Sequence, residues 1–109
     1  MKKLIYILLS TLCFSVFADY KDSPDLQISQ ISAWGSSGEI LIQTNPKHSI
    51  EGLGCSSNYW LKLRKTDDGY QAMLSMLMTA QIAKTSVLVR ATDDAGTDFC
   101  RLERVISYQ

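Results

Sequence analysis

Residues 58–65 alternate strictly, with Tyr59, Leu61 and Leu63 on one side and Trp60, Lys62 and Arg64 on the other. An aromatic plane beside two cations can stack on a sugar ring or engage an anionic group. Trp60, Lys62 and Arg64 are therefore the candidate ligand contacts. A solvated strand face with one Trp tucked against a neighbour carries the same pattern. Trp34, beside the Gly35-Ser36-Ser37-Gly38 turn, is a weaker candidate, because a turn-flanking Trp packs over a hairpin.

Catalytic chemistry has little to stand on. His48 is the only histidine, and no serine, cysteine or carboxylate motif points to it as a general base. Asp67 and Asp68 precede an apolar run and read as the start of a helix. Asp93, Asp94 and Asp98 lie in a loop whose spacing departs from that of an EF-hand, since Gly96 falls too early. Gly52-Leu53-Gly54 lacks the strand-to-helix setting of a phosphate loop and reads as slack ahead of Cys55. No metal set and no cofactor motif emerges, and a non-enzymatic role is expected.

These residues need elements to position them. Residues 1–18 place Lys2 and Lys3 ahead of an apolar run that ends with Val16 and Ala18 at the small-residue positions of a signal-peptidase cut. A secretory signal peptide is expected, cleaved after Ala18, because a membrane span needs roughly 20 apolar residues. No stable membrane anchor is expected after cleavage, and the destination is the periplasm or the exterior. Cys13 leaves with the signal, so Cys55 and Cys100 remain as one possible disulfide, the usual fate of a cysteine pair in a small exported domain. Closing that loop is worth about 4 kcal/mol on the chain-entropy estimate.

The remaining residues make one small domain. All eleven acidic residues follow Ala18, whereas two of the eleven Lys and Arg precede it, leaving a formal charge of −2 on the cleaved chain. Nucleic acid, which selects clustered basic charge, is not expected as a partner. Residues 19–25 read as a flexible leader and residues 26–109 as a single disulfide-stapled domain.

Within it, Leu26 and Ile28 share a strand face, and the apolar phase then jumps to Ile31, which predicts a bulge or bend. A turn follows, then a second strand with Ile40 and Ile42 on one face. The strand over residues 58–65 comes next, then a helix over residues 70–84. The last strands carry Val87 and Val89, and Cys100 onward. The order predicts an α+β domain: a small antiparallel curled sheet, or an OB-like partly open barrel, with one long helix. A flatter sheet with the helix across one face is the alternative.

Tyr70, Met73, Leu74 and Leu77 form the apolar stripe of that helix. Gln71, Ser75 and Thr79 form a narrow uncharged stripe on a helix that has no charge between Gly69 and Lys84. Such a dry surface suits either a central core helix or self-association, and Gln71, Ser75 and Thr79 are the candidate face of a homo-oligomer.

The signal peptide, the cysteine pair, YWLKL, YQAMLSMLMTAQIA and SVLVRA together resemble a broad group of small exported bacterial proteins of unknown function with a single disulfide. The order of helix, valine-rich strand and late cysteine is also similar in plan to the binding subunits of AB5 toxins. That resemblance implies a small barrel that assembles as a ring, and it transfers no glycan-contact residue. The expected function is an exported binding module for a protein or glycan. The rival is a periplasmic immunity or inhibitor protein acting on a toxic enzyme.

Overall fold

The computed structural model describes residues 19–94 and 96–108. The expected signal peptide over residues 1–18, with its cut after Ala18, lies outside them. Strands β1 (Tyr20–Ala33), β2 (Ile40–Asn45) and β3 (Ser57–Leu63) precede helix α1 (Tyr70–Ala83), and β4 (Ser86–Thr92) and β5 (Phe99–Tyr108) follow it. The domain is α+β: five strands close on themselves in the order β1-β2-β3-β5-β4, with β4 hydrogen-bonded back to β1.

Closure explains one departure from the expected all-antiparallel sheet. A ring with an odd number of strands cannot alternate direction all the way round, so one neighbouring pair must run the same way. That pair is β3 and β5; the other four pairs are antiparallel.

β1 makes the closure possible by serving two partners. Its first half pairs with β4, from Tyr20 opposite Thr92 to Leu26 opposite Val87, and its second half pairs with β2. Residues 20–25 are thus strand, correcting the expected flexible leader: the free edge of β4 supplies a ladder that their polar composition alone does not announce. Pro24 has no N–H to give, and it sits where the register slips between Ser23 and Leu26, beside Asp25 at φ 58°. The bulge expected from the phase jump is present, with Ser29 as the extra residue between Ile28 and Gln30. Such bulges sharpen the local twist and let a strand curl round a barrel.

The interior is filled by alternate residues. Leu26, Ile28, Ile40, Ile42, Leu61, Leu63, Val87, Val89 and Leu102 are all buried. Burying each such side chain fully is worth about 1.5–3 kcal/mol. Tyr59 is the exception to the predicted alternation. Ser57 pairs with Phe99 and Leu61 with Cys100, so residues 58–60 stand clear of the β5 ladder, and Tyr59 is 47% exposed rather than core.

α1 packs against β1 and β5. Leu77 and Ala80 are buried, with Tyr70, Met73, Leu74 and Met76 partly buried against the core. The expected acidic cap is absent: Gly69 is the N-cap, and no side chain among the described residues caps the helix. Asp67 is drawn elsewhere, as its carboxylate accepts hydrogen bonds from the Arg64 backbone N–H and Nε. Tyr70 anchors the helix start by donating its hydroxyl to the Gly38 carbonyl at 3.0 Å. Among the described residues no helix is long and apolar enough to cross a membrane.

Cys55 and Cys100 form the disulfide, with Cα atoms 5.2 Å apart and both residues buried. It joins the loop entering β3 to β5, the two strands whose parallel pairing is interrupted.

Candidate functional site

Three elements meet at one end of the outer β2–β3 wall. The turn after β1 is closed by hydrogen bonds from the Trp34 N–H to the Glu39 carbonyl and from the Gly38 N–H to the Trp34 carbonyl. Gly38 takes φ 74°, a conformation that a side chain would strain. This turn holds Trp34 out from the barrel with 57% of its surface exposed. From the wall itself come Leu41 and Lys62, which face each other across the β2–β3 ladder. Phe99 enters from the start of β5.

Trp34, Glu39, Leu41, Lys62 and Phe99, with Ser36 and Ser37 at the rim, line a hollow of about 400 Å³. Lys62 Nζ lies 3.5 Å from a Glu39 carboxylate oxygen and 5.9 Å from the centre of the Phe99 ring. The hollow thus offers two aromatic surfaces, an ammonium with three donors, a carboxylate that accepts, and two serine hydroxyls. Among the described residues that line it, Lys62 and Glu39 balance in charge, and neither a thiol nor an imidazole is present. Such a set can stack on a ring and exchange hydrogen bonds with polar groups.

The three expected contact residues do not converge. Lys62 is in the hollow. Trp60 is half-buried farther back along β3, edge-on to Tyr59 at 6.2 Å and 64°. Arg64 turns to a separate groove at the start of α1, where its guanidinium pairs with Asp67 at 2.9 Å. Trp34, Glu39 and Phe99 carry the hollow instead. A Trp beside a glycine-rich turn was the visible signal for the first; Phe99 reaches the wall only because β5 docks beside β3.

The groove at α1 is larger, about 490 Å³, and four of its charged side chains, Arg64, Asp67, Arg101 and Glu103, pair with one another. Arg101, only 12% exposed, makes two 2.8 Å hydrogen bonds to Asp94, pairs with Glu103, and lies 3.7 Å from Asp67. The Asp94 hydrogen bonds hold the Arg101 guanidinium above its ordinary range, and Arg101 in turn holds the Asp94 carboxyl below its own. This network ties the end of β3 to β5 and to the segment before the helix. Asp93 plays a similar part, accepting the Gly54 N–H at 2.9 Å. No group of three or more metal-ligating side chains is found among the described residues.

His48 is 2% exposed, and neither ring nitrogen has a hydrogen-bond partner among the described residues. Burial lowers its pKa, and the nearby Ser57 backbone acts in the opposite direction. An imidazole shut from water in this way is poorly placed to exchange protons with a substrate.

Gln71, Ser75 and Thr79 lie exposed along the outer side of α1, with the Thr79 hydroxyl donating to the Ser75 carbonyl at 2.8 Å. Beside them Met78 is 49% and Ile82 80% exposed.

Comparison with protein-family models, with curated proteins and with solved structures finds no match to this chain.

Proposed function

We propose that the chain is an exported, non-enzymatic binding module built on an OB-like barrel, and that it takes a glycan in the hollow between Trp34, Lys62 and Phe99. The observation that carries this reading is the placement of an exposed Trp ring beside a charge-balanced polar set on the β2–β3 wall, next to the β1–β2 and β4–β5 connections. OB barrels use this wall and these loops to hold oligosaccharides and oligonucleotides. A glycan suits the chemistry better than a nucleic acid, because the one ammonium that lines the hollow among the described residues is already paired with Glu39, and polyanions require clustered unpaired cations. The disulfide supports an oxidising compartment, periplasmic or extracellular, in accord with the signal-like residues 1–18.

The test is a glycan array probed with the chain lacking residues 1–18, followed by titration of the best glycan. Trp34→Ala is expected to weaken binding about tenfold, the upper range for one aromatic contact, with the melting temperature unchanged. A folded protein that binds nothing on the array, or binding indifferent to Trp34→Ala, defeats the reading.

One observation favours a further role for α1. Ile82 and Met78 are too exposed for a helix that ends its work against its own barrel. The outer face that they share with Gln71, Ser75 and Thr79 is read as the contact with a second copy of the chain.

A further inference from the structure

We propose that the same wall carries a second sugar-binding subsite, centred on Tyr59, so that the ligand is an extended oligosaccharide rather than a single sugar. This inference rests on the reading of the Trp34 hollow as a glycan site.

The second hollow, about 290 Å³, is lined by Ser29, Gln43, Thr44, Asn45, Lys47 and Tyr59. Two separate irregularities of the sheet build it. Ser29 is the extra residue of the β1 bulge, and bulges re-aim side chains that regular pairing would place elsewhere. Tyr59 belongs to the stretch of β3 that stands clear of β5, which leaves its ring 47% exposed. Its position is held from two sides: Lys47 Nζ lies 4.6 Å from the ring centre, and Trp60 meets it edge-on.

The lining chemistry selects the ligand class. Gln43 and Asn45 each offer a carbonyl acceptor and an amide donor, and Ser29 offers a hydroxyl that does both. The Thr44 hydroxyl is already spent as a donor to the Pro46 carbonyl at 2.8 Å. Among the described residues no carboxylate lines the hollow, and Lys47 is the one cation that does. Paired donors and acceptors beside an exposed ring suit sugar hydroxyls beside the C–H face of a sugar ring. A single ammonium is too little for a nucleic acid backbone, and the polar lining gives an apolar peptide side chain nothing to bury against.

The two hollows are consecutive along one strand. Leu41 lines the first, and Gln43 and Asn45 line the second, so all three project from the same side of β2 by the two-residue period. At about 3.3 Å per residue, Leu41 and Asn45 are roughly 13 Å apart. One sugar ring cannot touch both ends, whereas a short chain laid along the wall can.

The experiment uses the chain lacking residues 1–18 and the glucose, N-acetylglucosamine and galactose oligomer series, each as mono-, di-, tetra- and hexasaccharide. The series that binds is measured by calorimetry on the wild type and on Trp34→Ala, Tyr59→Ala and Asn45→Ala, with melting temperatures confirming the fold. Affinity is expected to rise about tenfold from disaccharide to tetrasaccharide, and Tyr59→Ala and Asn45→Ala are expected to abolish that rise while leaving disaccharide affinity within about twofold. If affinity is independent of length, or if Tyr59→Ala leaves the tetrasaccharide affinity intact, the second subsite is overturned and the first stands. If no series binds the wild type, or Trp34→Ala changes nothing, the underlying reading fails.

Discussion

His48 shows how much one side chain can decide. It is buried with two unpartnered nitrogens, so desolvation lowers its pKa from 6.5 in the folded chain. As pH falls through that value the unfolded chain takes up a proton that the folded chain refuses. The stability linked to His48 is therefore complete above about pH 6.5 and is lost as pH falls toward the depressed folded value. Urea midpoints are expected to drop between about pH 7.5 and 5 in the wild type, and His48→Leu is expected to flatten that dependence; equal slopes in the two proteins would contradict the assignment. Asp22 and Asp94, held low by hydrogen bonds from Arg90 and Arg101, respond only below the ordinary carboxylate value of 3.8, which separates the two windows. Trp34 belongs to the same scale. Its type and its turn were visible in the chain, but its exposure was not, because a turn-flanking Trp can equally fold back onto the hairpin.

At the scale of elements, α1 was legible almost to the residue. Its composition favours a helix, and the stripe of Tyr70, Met73, Leu74 and Leu77 does face the core. Its start at Tyr70 was legible, but its capping was not, because a carboxylate near a helix N-terminus is a cap only if nothing stronger claims it, and Arg64 claims Asp67. The outer face makes its own prediction. If it meets a second copy, light scattering of the chain lacking residues 1–18 will give a mass above that of one chain, and Ile82→Glu will reduce it to a monomer without unfolding. Ile82 is 80% exposed within one chain, so the substitution opens no cavity. A monomeric wild type would reject this face as an interface. β3 teaches the reverse lesson: its alternation was the clearest in the chain, and the break in its pairing with β5 still turned Tyr59 outward.

For the whole molecule, the disulfide and the closure of the sheet act on the same place. Cys55 and Cys100 bridge β5 and the loop entering β3 where the parallel ladder is interrupted, and the bond spans 45 residues of chain. The double variant Cys55→Ser/Cys100→Ser is expected to lose about 2–5 kcal/mol in urea unfolding, the usual cost of removing such a bond from a small domain. A loss below about 0.5 kcal/mol would show that the barrel needs no staple. The pairing itself was readable from cysteine count and from the signal-like start.

What the amino-acid sequence determined by itself is local: most of the strand residues with most of their inward side chains, the helix, the turn at Trp34 and a bulge or bend between Ile28 and Ile31. These follow from side-chain period and backbone preference over a few neighbouring residues. Tertiary structure decided the rest, because it depends on which distant strands pair and in what register. Closing five strands forced β3 and β5 parallel and drew residues 20–25 into the sheet. Closure also brought Phe99 beside Lys62. Trp60 and Lys62 share a side of β3, and Arg64 lies just past its end, yet the neighbours that closure supplied set Lys62 with Trp34 and Phe99, and left Tyr59 beside a hollow of its own.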